Sequence, residues 1–89
     1  MNNDYMIIAF GSTHQAIRFE RLRISHYAIE LIPTPRDVSA SCGLSLKFEV
    51  DDLEAIQMTL MEEDKTGLQL LMFKFENENH TIIPIQWRL

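Results

Sequence analysis

A single cysteine, Cys42, stands in 89 residues, so no disulfide can close within the chain, and a lone thiol suits a reducing compartment. A redox role for it would require a second molecule or a second subunit. Basic residues are few. Eight Lys and Arg against thirteen Asp and Glu give a net charge of −5, which argues against nucleic acid or an anionic membrane as the general partner. No apolar run approaches the roughly 18 residues that cross a bilayer, and no charged-then-apolar leader opens the chain, so the expected location is the cytoplasm. The three histidines, His14, His26 and His80, have no metal-ligand spacing with one another or with Cys42, and no metal is expected. Paired acid/base carboxylates, a Gly-rich phosphate loop and a nucleophile elbow are all missing, and no cofactor is expected.

What is present is an ordinary globular composition, 46% apolar and 24% charged, in a length that makes one domain, residues 1–89. A chain this short buries only about 60–65% of the surface that its unfolded state exposes, so the core is small. Tyr5 to Phe10 is an apolar run of strand formers ending at Gly11. Ser12-Thr13-His14-Gln15 has capping-box spacing, with Ser12 accepting from the third helical N–H and Gln15 reaching back to the cap. The helix it opens carries Ala16, Phe19 and Leu22 on one stripe, exposes Arg18, Arg21 and Arg23 as a solvated face, and should fade near Ser25 and His26. Tyr27 to Ile32 is a second strand.

Leu44, Leu46, Phe48 and Val50 alternate with Ser45, Lys47 and Glu49, the period-two pattern of a strand with one buried face. Asp51, three residues before Glu54, is expected to cap a second helix that runs to about Glu63. Leu68 to Phe75 reads as a fourth strand, Asn77 to His80 as a polar turn, and Thr81 to Leu89 as a fifth strand whose Pro84 suits an edge. Met58, Met61 and Met72 read as core filler, and Trp87 as sheet packing or a subunit contact. The order β-α-β-β-α-β with an extra C-terminal strand predicts an α+β fold, a ferredoxin-like split βαβ sandwich with both helices on one face of an antiparallel sheet. The strands offer neither the paired exposed aromatics nor the basic signature of RNA binding by such a sheet.

Ile32-Pro33-Thr34-Pro35-Arg36 and the following Asp37 to Gly43 separate two apolar runs and concentrate the unusual residues. Each X-Pro step favours extended geometry before it and fixes φ after it, so Arg36 should stand on a stiff exit from the second strand. Cys42 beside Gly43, six residues after Arg36, fits a thiol held as thiolate by nearby positive charge and backbone N–H groups. A buried cysteine acting as a small hydrophobe fits the same residues. Topology places the first helix N-terminus and the loop after the second strand at one end of the sheet. Ser12, Thr13 and His14 are therefore expected to join Arg36, Cys42 and Gly43 around an anionic site.

Phe10 to Ala16, Glu20, the Ile32-Pro33-Thr34-Pro35-Arg36 run and Ser41-Cys42-Gly43-Leu44 together resemble a small bacterial family of selenium/sulfur carrier protein-like chains, over about Tyr5 to Glu62. The resemblance implies that Cys42 carries sulfur or selenium as a persulfide or selenosulfide, with Arg36 and the Ser12-to-His14 cap around it and with donor and acceptor proteins as partners. A carrier or binding protein is then expected rather than an enzyme with independent turnover. The competing reading is a small anion- or metabolite-binding regulatory module in which Cys42 only packs, and a third is a structural subunit. A homodimer that hides an edge strand is expected on general grounds.

Overall fold

The computed structural model describes residues 4–21, 29–38, 40 and 43–87. Its elements are β1 (Tyr5–Ala9), α1 (Thr13–Glu20), β2 (Glu30–Pro33), β3 (Leu44–Glu49), a 3-10 turn (Val50–Asp52), α2 (Leu53–Thr59), β4 (Gln69–Glu76) and β5 (Asn79–Pro84). The five strands form one sheet in the order β2-β3-β1-β4-β5, and every pairing is antiparallel. β3 therefore lies between β1 and β2. Among the described residues no helix is long and apolar enough to cross a membrane.

β1 holds the centre, and Met6, Ile7, Ile8, Ala9 and the following Phe10 are all fully buried. A strand covered on both faces shows a continuous apolar run rather than an alternating one, and the sequence of β1 has that form. On one face Met6 and Ile8 pack with Leu46, Phe48 and Leu70, and with Ala16 and Phe19 of α1 and Ile56 and Leu60 from α2 and its end. Both helices thus cover the same face, where the Phe10 and Phe19 rings meet edge to face at 5.6 Å. On the other face Ile7, Ala9, Leu71 and Phe73 pack against Val38, which belongs to the segment after β2. That segment folds back over the helix-free face, with Ala40, Ile32, Tyr5 and Ile82 packed around the same cluster. Ser45, on the supposedly solvated face of β3, is consequently fully buried.

Several boundaries differ from those expected. α1 closes at Arg21, whose N–H is shared between Ile17 O and Arg18 O, a tightening of the last turn that ends the helix before Ser25. Leu22 and Arg23, His26, and Tyr27 and Ala28 of the expected second strand lie outside the described residues. The second helix is not capped by Asp51. Val50–Asp52 already turns as 3-10, which moves the N-cap to Asp52, and no side-chain cap bond forms. α2 stops at Thr59, short of Glu63, and Thr59 Oγ1 donates back to Ala55 O. Met58 is 56% exposed, because Ile56 and Leu60 face the sheet and a residue two positions along a helix points away. The last hairpin turns on Asn77 and Glu78 alone, with Asn77 in the left-handed region at φ 58, so His80 is a strand residue opposite Phe75. β5 is an outer strand, where its Pro84 was expected to lie.

Candidate functional site

The start of α1 is built by local rules. Ser12 is extended at the N-cap and its Oγ accepts from Gln15 N–H at 3.2 Å. Gln15 reaches back one residue further than a capping box requires. Its Oε1 accepts from Gly11 N–H at 3.1 Å, and its Nε2 donates to Thr66 O at 3.0 Å. That second bond brings the α2–β4 connection against the helix start. Gly67, at φ +82, takes a conformation that side chains resist, and it faces Gly11.

Lys65 organises the connection: Nζ donates to Leu60 O and Met61 O at 2.9 Å and to Glu63 O at 3.1 Å, gathering the carbonyls of the C-cap of α2 and of the turn that follows it. Gly11, Ser12, His14, Gln15, Arg18, Phe19, Asp64 and Thr66 line a cavity of about 420 Å³ at this point. Thr66 donates from Oγ1 at 2.7 Å and from N–H at 3.0 Å to Asp64 Oδ1, and these bonds hold the Asp64 carboxyl below the usual aspartate range. The lining thus carries one carboxylate, Asp64, and one guanidinium, Arg18, whose Nη2 donates to Glu63 Oε1 at 3.2 Å, and the Gly11 and Gln15 N–H groups are already committed.

The proline segment forms a closed loop. Thr34 N–H donates to Gly43 O at 2.8 Å, and the hydroxyls of Thr34 and Ser45 meet at 2.8 Å, which also satisfies the buried Ser45. Beyond this clasp, Val38 N–H donates to Pro35 O at 3.0 Å and makes a turn with Arg36 and Asp37 exposed at its tip. Asp37 Oδ2 accepts from His80 Nε2 at 2.9 Å. The His80 ring stacks on Phe73 at 5.7 Å and tilts against Phe75 at 5.6 Å. Gly43 is exposed, its φ is not left-handed, and a Cβ built on it would meet nothing within 4 Å. Neither strain nor crowding requires glycine there; the space in front of it is open. Cys42 and Ser41 lie outside the described residues.

The structure thus gathers Ser12 and His14 with Asp64 and Thr66, and exposes Thr13 beside them. The described residues lining that cavity include none from the proline loop. Arg36 adjoins Val38, whose contacts are on the opposite face of the sheet from α1, and the expected joining of the two segments is absent among the described residues. The end of β1 that leads into α1 and the end of β2 that leads into the loop both lie beside the start of β3, Ala9 standing opposite Ser45 and Pro33 opposite Leu44. Sequence reasoning missed Asp37, Val38, Lys65 and the strand position of His80. The signal available for His80 was the Asn77-Glu78 pair, a two-residue turn.

Fold and loop together define a small α+β domain with one loop clasped at Thr34 and Gly43, the stretch of sequence in which the lone cysteine falls. The family model described as "Putative Se/S carrier protein-like" matches residues 5–70, and the chain belongs to that family. No curated protein and no solved structure matches the chain.

Proposed function

We propose that the chain is a sulfur or selenium carrier that holds one atom on Cys42 and passes it from a donor protein to an acceptor protein. The observation that carries this reading is the family match, which spans the whole proline loop including Cys42. In the proposed step the Cys42 thiolate attacks the outer sulfur of a donor persulfide. An S–S bond to Cys42 forms, the donor S–S bond breaks, and the donor leaves as thiolate, with no net oxidation. Selenium would transfer in the same way to give a selenosulfide. Arg36, exposed at the loop tip, supplies positive charge that favours the thiolate. The open space at Gly43 gives the donor room to approach. Ser12, Thr13 and His14 at the same end of the sheet are the proposed contact for donor or acceptor. A persulfide carrier belongs in a reducing compartment, and the cytoplasm is the proposed location.

The order β2-β3-β1-β4 with both helices on one face supports a ferredoxin-like split βαβ arrangement extended by β5. Its outer strands are β2 and β5, and a homodimer through one of these edges is part of the proposal. Light scattering that finds only monomer at high concentration would remove it. In the anion-binding alternative the start of α1 and Arg36 hold the ligand and Cys42 only packs. The two readings separate on the thiol. A carrier cysteine alkylates faster at neutral pH in the folded chain than in the unfolded one, and Arg36→Ala slows it without unfolding the protein. An unreactive Cys42, with Cys42→Ala costing about 1 kcal/mol or more as a cavity would, makes the residue structural and ends the carrier reading.

A further inference from the structure

The two ends of the proline loop are held by unlike forces. At its base the Thr34 N–H to Gly43 O bond and the Thr34–Ser45 hydroxyl pair, both 2.8 Å, tie it to the edge of β3. At its tip there is one valine and one side-chain hydrogen bond. Val38 is only 9% exposed although it lies in a loop, because it rests on Ile7, Ala9, Leu71 and Phe73. Asp37 next to it reaches His80 of β5 at 2.9 Å, and the imidazole is kept in place by Phe73 and Phe75. The loop therefore leaves one edge of the sheet, crosses the helix-free face and is secured by the strand at the other edge. That strand, residues 79–84, lies beyond the residues 5–70 that match the family.

We propose that Asp37 and His80 form a latch, and that through it β5 sets how often the tip of the loop lifts from the sheet while the base stays clasped. His80 is then a positioning residue for the loop that contains Cys42. The carboxylate and imidazole are substantially exposed, 60% and 37%, so the latch is weak by design of its surroundings, and breaking it favours the open tip by about three- to five-fold. A buried pair would lock the loop. An exposed one leaves it able to open, as transfer between two proteins requires. The latch itself is independent of what Cys42 carries; only its consequence for transfer rests on the carrier reading.

Amide hydrogen exchange on the full chain tests it, because the Val38 N–H is bonded within the tip and the Thr34 N–H within the base. Asp37→Ala touches only the tip, and His80→Phe keeps a ring against Phe73 and Phe75 while removing Nε2. Each should speed Val38 exchange by about three- to five-fold and leave Thr34 unchanged, and the double variant should be no faster than either single one. Asp37→Asn, which can still accept from Nε2, should keep most of the protection. Unchanged Val38 exchange in Asp37→Ala overturns the latch, as do equal acceleration of Val38 and Thr34 or additive effects of the two substitutions. None of these rates depends on sulfur uptake. A failed latch therefore leaves the carrier reading intact, and absence of sulfur on Cys42 leaves the latch intact.

Discussion

Replacing Lys65 by methionine removes the ammonium that gathers the turn after α2 while keeping most of the side-chain stem. Nζ also lies 5.9 Å from the centre of the Trp87 ring, whose Nε1 donates to Leu68 O. Three carbonyls, Leu60, Met61 and Glu63, lose a charged donor at 2.9 to 3.1 Å. A hydrogen bond to a charged group contributes about 1.5–3 kcal/mol, and a cation at a helix C-terminus about 0.3–1 kcal/mol. These bonds share one partly exposed donor, and water can reach the carbonyls once it is gone, so the terms do not add in full. The expected loss is about 2 kcal/mol. In a domain of this size that lowers Tm by roughly 8–16 °C. Urea unfolding should show a lower midpoint with an unchanged m-value, since the surface exposed on unfolding is the same. A loss below about 0.5 kcal/mol would mean that solvent satisfies these carbonyls as well as Lys65 does, and the description of Lys65 as the organiser of the α2–β4 connection would be wrong.

Gly67→Ala, at φ +82, should cost about 1–2 kcal/mol, whereas Gly43→Ala should change stability by less than about 0.5 kcal/mol yet slow transfer to a donor-sized partner; thermal unfolding and transfer rates measured on the same samples compare them. Asp64 is held below its usual range chiefly by the Thr66 hydroxyl, so its folded-state value lies under the unfolded one, and its contribution is present above the ordinary aspartate range and lost as pH falls through the folded value. Thr66→Val should move the carboxyl titration, followed by NMR, upward and shrink the stability lost on acidification; an unmoved titration would refute the assignment of cause. Ser12→Ala should lower stability by about 1 kcal/mol in urea, the ordinary effect of deleting an N-cap.

Much of the fold was legible because it is written locally. The apolar run from Tyr5 read as a strand and is one, and Ser12 with Gln15 announced a helix that does begin at Thr13. The alternation from Leu44 gave the strand and its core face. It could not show that Ser45, on the other face, would be sealed by a distant segment, since nothing in residues 44–49 records what covers them. The same limit applies to the proline loop. Its stiffness follows from Pro33 and Pro35, but its path across the sheet is fixed by Val38 meeting Ile7, Ala9, Leu71 and Phe73, contacts made by two other elements, β1 and β4. Hence the stiff arm that presents Arg36 was legible, and the face of the sheet over which its loop runs was not. Lys65 read as part of a helix exit, where it does lie, but its bonds to Leu60, Met61 and Glu63 could not be read, because the target of a long flexible cation is not set by its own sequence position. The shortening of the last turn to two residues shifted His80 by enough to turn a loop residue into a strand residue facing Asp37.

The most direct test of the carrier reading is the intact mass of the folded chain after incubation with a small-molecule persulfide, alongside Cys42→Ser. The account predicts that the native chain gains the mass of one sulfur atom, that dithiothreitol removes it, and that the Cys42→Ser chain gains nothing. No gain on the native chain, a gain equal to the donor's whole thiol as a mixed disulfide, or the same gain without Cys42 would contradict it.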